Sequence, residues 1–247
     1  MEPITREEIR ALVAAVDYSE ALTITATRDE VQAACAHAKE YGFRSVAVFP
    51  HHLDLVVREL KGTGTLAMIV VGFPCGANTT RVKCHEAEDG LKAGATDLDM
   101  VMNLGAFKEG DYRHVSRDIQ EVLSVAGPFK VPCKVIVEVG VLTEEEKLTA
   151  ANLVADAGAT FIKTCTGFGP GRATLHDIVL FKQTVGDRIG IKASGGVTSI
   201  EDGVAFMRAG AGVVAMRRPL VDQLESLQSG SFRKAQEDTS NKDTKGD

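Results

Sequence analysis

Short apolar runs alternate with amphipathic stretches along most of the chain. Ser45–Phe49, Leu66–Val71, Asp97–Met102, Lys134–Val139, Thr160–Lys163, Ile189–Lys192 and Gly212–Met216 are rich in Val and Ile. Their apolar positions are mostly consecutive, the pattern of strands buried on both faces. A weaker run near Leu12–Val16 supplies an eighth. Between them, Asp29–Lys39, Thr80–Lys92, Asp111–Val125, Thr143–Ala157, Thr174–Val185 and Ser199–Arg208 have helical character. Thr143 stands three residues before Glu146, the capping-box spacing. Gly42, Gly158 and Gly210 fall where left-handed C-terminal caps are expected. Alternating strands and helices predict a parallel sheet. Eight such units predict an α/β chain closed as a single (β/α)8 TIM barrel. A doubly wound open sheet is the alternative, but no Gly-x-Gly-x-x-Gly follows the first strand.

The chain has 247 residues, a length at which such a barrel closes as one domain. The barrel is expected over residues 1–228. Residues 229–247 change character: Ser, Lys, Asp, Gln, Thr and Gly dominate, and Phe232 is the only large apolar residue. Such a composition cannot offset its ordering entropy, so a disordered tail is expected. A net charge of -6 gives no reason to expect a nucleic-acid partner, which calls for a basic stripe. The longest apolar run, Leu66 to Phe73, is too short to span a bilayer, so no membrane partner is expected. The N-terminus, with Glu2, Arg6, Glu7 and Glu8, does not read as a signal peptide. Cys35, Cys75, Cys84, Cys133 and Cys165 show no C-x-x-C spacing, which suggests neither a metal site nor a disulfide framework. Reduced thiols in a cytoplasmic protein are the expectation.

Catalytic groups of such barrels stand at the C-terminal ends of strands, so charged residues closing apolar runs are the candidates. Lys163 ends Phe161-Ile162-Lys163, and Lys192 ends Ile189-Gly190-Ile191-Lys192. Asp99 lies inside Leu98-Asp99-Met100-Val101, and Glu138 follows Val135-Ile136-Val137. Two ammonium groups on adjacent strands repel, which favours one neutral, nucleophilic amine near pH 7. That is the requirement for Schiff-base chemistry on a carbonyl, with Asp99 shuttling a proton through a water. A lone lysine at a strand end is ordinarily a solvated rim residue; two on neighbouring strands beside a buried acid are not.

Four stretches carry a resemblance: Val71-Gly72-Phe73-Pro74-Cys75-Gly76-Ala77-Asn78-Thr79-Thr80, Asp97-Leu98-Asp99-Met100-Val101, Phe161-Ile162-Lys163-Thr164-Cys165-Thr166-Gly167-Phe168, and Ile191-Lys192-Ala193-Ser194-Gly195-Gly196-Val197. With Leu142-Thr143-Glu144-Glu145-Glu146-Lys147 they make the chain resemble the deoxyribose-phosphate aldolase family of class I aldolases. The resemblance runs roughly from Val46 to Gly212. It implies that Lys163 is the Schiff-base lysine, Lys192 its pKa-lowering neighbour and Asp99 the proton-relay acid. It also implies substrate contacts at Asp17, Ser19, Lys134, Thr166, Gly167, Gly195 and Gly196. Neither metal nor organic cofactor is implied, since the imine is itself the electron sink.

The chain departs from that family in three places. The first strand reads Asp17-Tyr18-Ser19-Glu20-Ala21 where the family has Asp-His-Thr-Leu-Leu. Ala47 and Phe49 replace the family's Cys and Asn or His. Ala215-Met216-Arg217-Arg218-Pro219 replaces its Gly-Thr-Ser phosphate turn. Pro219 suits the start of a short helix running to about Leu227. Arg217 and Arg218 would then oppose that helix's dipole by about 0.3–1 kcal/mol, which a bound anion would offset. Gly195-Gly196-Val197 opening a helix offers backbone N–H groups to the same anion.

Three readings follow. The first is a class I aldolase that joins acetaldehyde and glyceraldehyde 3-phosphate reversibly. The second keeps the lysine chemistry but takes a carboxylated or non-phosphorylated substrate in specialised metabolism. The third is a non-catalytic barrel that binds a sugar phosphate. The partner in every case is a small aldehyde or sugar phosphate, and a homo-oligomer is left open.

Overall fold

The computed structural model describes residues 3–229. Eight parallel strands follow one another round a closed barrel in chain order. They are β1 (Val16–Tyr18), β2 (Ser45–Val48), β3 (Leu66–Val71), β4 (Asp97–Val101), β5 (Cys133–Ile136), β6 (Phe161–Lys163), β7 (Gly190–Ala193) and β8 (Val213–Met216). The helices are α1 (Arg6–Ala14), α2 (Arg28–Tyr41), α3 (Leu53–Glu59), α4 (Thr80–Lys92), α5 (Leu104–Lys108), α6 (Tyr112–Ala126), α7 (Glu144–Asp156), α8 (Leu175–Val185) and α9 (Ile200–Arg208). A tenth, α10, occupies 218–229. The expected barrel is the observed one. Of the expected tail, Ser229 ends α10 with its hydroxyl donating to the Glu225 carbonyl, and the rest lies outside the described residues.

The weak strand expected at Leu12–Val16 is instead the end of α1, and β1 starts only at Val16. Thr5 and Glu8 form a reciprocal capping box that starts this helix, and Ile9, Leu12 and Val13 recur at helical spacing. Leu12 is fully buried and fills the space left by Gly203 of α9, where a Cβ would come 2.8 Å from its methyl. The same box recurs at Thr27/Glu30, Thr143/Glu146 and Thr174/Asp177. The helices α3 and α5 are not legible in the sequence because five to seven residues are too few to display a period.

Packing between strands and helices is tight where small residues allow it. Gly90 lets α4 settle on β3, since a Cβ there would meet Ile69 Cδ1 at 2.1 Å. Lys83 of α4 is fully buried and donates to Asp118 of α6 at 2.6 Å and to the Val101 carbonyl at 2.9 Å. The main apolar core lies between sheet and helices, with Val46, Val48, Ile69, Leu98, Val135 and Ile162 among its strand residues. A separate small apolar cluster joins Leu22, Ala47, Met68 and Val70. Met68 Sδ lies 3.5 Å from Lys134 Nζ and 3.7 Å from Lys192 Nζ, so this cluster borders charged groups within the barrel.

Candidate active site

Strand register decides which charges meet. Side chains two apart on a strand share a face, so Asp97 and Asp99 of β4 point the same way. Asp99 is paired in register with Lys134 of β5, and Lys163 of β6 with Lys192 of β7. Asp17 of β1 is fully buried, as are Asp97, Asp99, Lys134 and Lys192, and Lys163 is 3% exposed.

These groups make one ionic cluster. Lys163 Nζ and Lys192 Nζ each donate to Asp99 Oδ2 at 2.7 Å. Lys192 also lies 2.6 Å from Asp17 Oδ2. Lys134 lies 2.5 Å from Asp97 Oδ1 and 3.2 Å from Asp99 Oδ1. Beneath them Arg44, the residue before β2, donates to Asp17 at 2.6 Å and to Asp97 at 2.5 Å. The Ser45 hydroxyl donates to Asp17 at 2.6 Å. Charges buried this deeply are tolerated only when paired and hydrogen-bonded.

Burial pushes Lys163 down to about 8, and the Lys192 ammonium adds to this against the pull of Asp99. Repulsion between lysines, the cause expected from sequence, is therefore secondary to desolvation. Burial alone would raise the Asp99 carboxyl, but Lys163, Lys192 and Lys134 hold it well below the usual carboxylate range. For Asp97 burial prevails over Lys134 and Arg44, and the carboxyl is raised. Lys134, despite its burial, is held above the ordinary lysine value by Asp99, Asp17 and Asp97. Lys163 is thus an amine that gives up its proton near neutrality while its neighbour Asp99 stays ionised.

A cavity of about 390 Å³ opens above this cluster. Lys163, Lys192, Ser19, Thr166, Gly167, Gly195, Gly196, Arg217 and Arg218 all line it, as do Leu22, Ala47 and Met68. Asp17, Asp99 and Lys134 do not reach its wall and act from below. Gly195 and Gly196 both take left-handed backbone, φ 101 and 80, which forms the turn before Ser199 caps α9.

The two arginines part company. Arg218 donates through Nε to Asp222 at 2.7 Å and pairs with Glu225 at 3.4 Å. Its backbone N–H donates to Glu20 at 2.8 Å. The anion expected opposite this helix start is thus partly supplied from within the chain. The Arg217 side chain donates to the Leu22 carbonyl at 3.2 Å, and among the described residues it has no carboxylate partner.

Glu138 does not join the lysines. Its backbone is left-handed, φ 52, a conformation that costs a non-glycine residue about 1–3 kcal/mol. Its carboxylate accepts from the Thr166 N–H at 3.1 Å and from the Thr166 hydroxyl. Thr166 Oγ1 in turn accepts from the Phe168 and Gly169 N–H groups. Glu138 therefore props the loop after β6 that borders the cavity. Phe168 packs edge-on against Phe73 and Phe49, with centroids 5.1 and 6.3 Å away. The stretch Val71–Thr80 thus packs against the loop after β6 through Phe73. Sequence reasoning missed Arg44, Asp97 and Glu20. Among the described residues, no group of three His, Cys, Asp or Glu side chains is arranged to hold a metal ion.

A family model described as DeoC/LacD family aldolase matches residues 11–219. A deoxyribose-phosphate aldolase of Thermoanaerobacter pseudethanolicus is 48% identical over 187 residues, 75% of this chain and 84% of that one. Among solved structures, "QR15, an Aldolase" superposes with a TM-score of 0.82 at 33% identity, covering 87% of this chain and 96% of the other. The tetrameric deoxyribose phosphate aldolase of Aeropyrum pernix gives 0.77 at 26% identity, covering 86% and 94%. The match extends over most of the barrel, including every strand that carries a lysine of the cluster, and the chain belongs to the DeoC/LacD aldolase family as a class I aldolase, a carbon–carbon lyase.

Proposed function

We propose that the chain reversibly cleaves 2-deoxyribose 5-phosphate into acetaldehyde and glyceraldehyde 3-phosphate through an imine on Lys163. In the cleavage direction the neutral amine adds to the C1 aldehyde, and loss of water gives the iminium. A base takes the C3 hydroxyl proton, the C2–C3 bond breaks into the iminium, and glyceraldehyde 3-phosphate leaves. The remaining enamine is protonated at C2, and water hydrolyses the imine to release acetaldehyde and free Lys163. Asp99, in direct contact with Lys163 Nζ, carries protons to and from the carbinolamine and enamine. Lys192 keeps Asp99 ionised and disfavours a second ammonium beside it.

The carrying observation is a lysine amine on the cavity wall, 3% exposed and pushed down to about 8. The anionic end of the substrate is assigned to Arg217, with the turns at Gly195-Gly196 and Thr166-Gly167. Among the described residues, Arg217 is the cavity arginine without a carboxylate partner, and this supports the choice over Arg218. Asp17 and Lys134 support the site from beneath, and Ser19 borders its opening. Five unpaired cysteines support a cytoplasmic setting, and no helix among the described residues is long and apolar enough to cross a membrane. The tetrameric Aeropyrum relative supports a homo-oligomer.

Borohydride reduction in the presence of acetaldehyde, read by intact mass and by digestion, tests the assignment. The reduced adduct is expected on Lys163, and Lys163→Ala should lose both adduct and turnover while keeping its fold. An adduct on another lysine would sink it.

A further inference from the structure

Seven ionisable groups are packed into one volume: Arg44, Lys134, Lys163 and Lys192 face Asp17, Asp97 and Asp99. With every group ionised, the cluster holds one positive charge too many. Release of a single proton balances it, and Lys163 is the lysine among them that combines an exposed edge on the cavity with a single carboxylate contact. The balance depends on a residue from the other end of the barrel. Arg44 stands before β2, at the N-terminal end. It borders a separate cavity of about 500 Å³ with Lys39, Thr63 and Thr65, and its side chain is 19% exposed.

We infer that Arg44 is a positioning residue of the reaction: it supplies the fourth positive charge that lets Lys163 stand neutral among three carboxylates. This rests on Lys163 being the imine-forming amine. Arg44 touches neither substrate cavity nor Lys163, and it acts through two routes. One runs from Asp17 to Lys192 and Asp99, the other from Asp97 to Lys134 and Asp99. Remove the guanidinium, and three lysines face three carboxylates. The cluster is then neutral only with Lys163 protonated, and the amine is held as an unreactive ammonium.

The charged surroundings are consistent with this. Lys163 faces Asp99 of β4, Lys192 of β7 and Asp17 of β1, while Glu138 at the end of β5 is turned to Thr166. Arg44 faces Asp17 and Asp97, and Lys39 in the lower cavity is paired with Glu59 at 3.8 Å. Among the described residues, no other cation is placed to take the role of Arg44 on Asp17 and Asp97 except the lysines already in the cluster.

The test is the pH dependence of imine formation with acetaldehyde, measured as the rate of borohydride-trapped adduct on Lys163. Arg44→Met should move the rising limb, along which Lys163 loses its proton, up by about one pH unit, a loss of about tenfold at pH 7. Arg44→Lys, which keeps a charge, should recover most of it. Asp97→Asn removes a carboxylate and should move the limb down. The double variant Arg44→Met with Asp97→Asn restores the charge count and should bring the limb back towards wild type. A folded Arg44→Met with an unmoved limb overturns the inference, as does an equal shift in Arg44→Lys. If Arg44→Met fails to fold, Asp97→Asn decides alone, and an unmoved limb there is equally fatal. Absence of any Lys163 adduct in the wild type would instead refute the imine assignment, which separates the two failures.

Discussion

Lys192→Met offers the most direct measure of how the cluster activates its amine. Lys163 Nζ and Lys192 Nζ both lie 2.7 Å from the same Asp99 oxygen, so twice 2.7 Å, about 5.4 Å, is the most that can separate them. Two unit charges at that distance repel by about 3 kcal/mol at an effective dielectric constant of about 20. Removing one therefore raises the pKa of the other by about two units. The freed Asp99 and Asp17 pull in the same direction, since both lose a cation at 2.6–2.7 Å. Lys163 would move from about 8 to the neighbourhood of an ordinary lysine.

At pH 7 the neutral fraction of Lys163 would fall from about one tenth to about one thousandth, a loss of about a hundredfold in imine formation. The loss should shrink to about twofold near pH 10 and vanish above it, where both enzymes present a free amine. Methionine fills the volume of the buried lysine stem without its charge, so packing is largely kept. Single-turnover trapping with acetaldehyde across pH 6 to 10.5 reads the limb directly. A limb that stays within half a unit of wild type would refute the electrostatic account and leave desolvation as the sole cause. A uniform loss at every pH would show that Lys192 handles the substrate rather than the amine's proton.

Arg217→Ser should raise KM for 2-deoxyribose 5-phosphate by about one to two decades, the equivalent of about 1.5–3 kcal/mol for a lost charge-assisted contact. Arg218→Ser should have little effect on KM, and neither should alter the rate with neutral short aldehydes. Equal losses in the two variants, or on neutral aldehydes, would remove Arg217 as the anion ligand. Lys163→Met should gain stability relative to wild type below pH 8, by about 3 kcal/mol for a pKa depressed from 10.5 to about 8. The sign follows from proton binding: between those values the unfolded chain holds a proton that the folded one lacks, so wild-type stability rises with pH. The gap between the two proteins should therefore close from pH 8 to 10.5 in urea melts. A constant gap would contradict the depressed pKa.

The sequence exposed those parts of the site that interrupt an apolar run at the end of a strand. Lys163 and Lys192 stand out against Phe161-Ile162 and Ile189–Ile191, and Asp99 against Leu98 and Met100. Asp97 heads the same strand, a position where an acid is ordinarily solvated. Its burial appears only once β4 is set against Met68 of β3. Arg44 precedes its strand and looks like any rim cation, because nothing local shows that the barrel's lower end closes over Asp17 and Asp97. The first strand begins later than the sequence suggests because Leu12-Val13-Ala14-Ala15-Val16 reads equally as a short buried strand and as a helix face. The capping pair Thr5 and Glu8 carried the answer. The sequence alone does not separate the arginines at the start of α10, yet Asp222 and Glu225, four and seven residues beyond Arg218, sit at helical spacing to claim only one of them.

Chemistry and recognition are carried by different parts of the fold. The amine, its carboxylate and its cationic neighbours sit on strands β1, β4, β5, β6 and β7, locked by ladder register and by each other. The cavity-lining groups proposed to meet the substrate's far end sit on loops: Thr166-Gly167 after β6, Gly195-Gly196 after β7, and Arg217 after β8. A substitution in a loop alters what is bound without moving Lys163, whereas one in the cluster changes the charge state of the amine whatever is bound. The two arginines after β8 replace a turn in which the resembling family carries small hydroxyl residues, yet the cluster below keeps its eight ion pairs. Glu20 sharpens the point, because its carboxylate already occupies the Arg218 N–H on the cavity wall. Glu20 and Arg217 both line the cavity, so a dianionic phosphate bound there meets a negative as well as a positive side chain, a penalty a neutral hydroxyl does not carry. Selection at this rim thus acts on the net charge and hydrogen-bonding of the substrate's terminal group, and the imine chemistry beneath is indifferent to it.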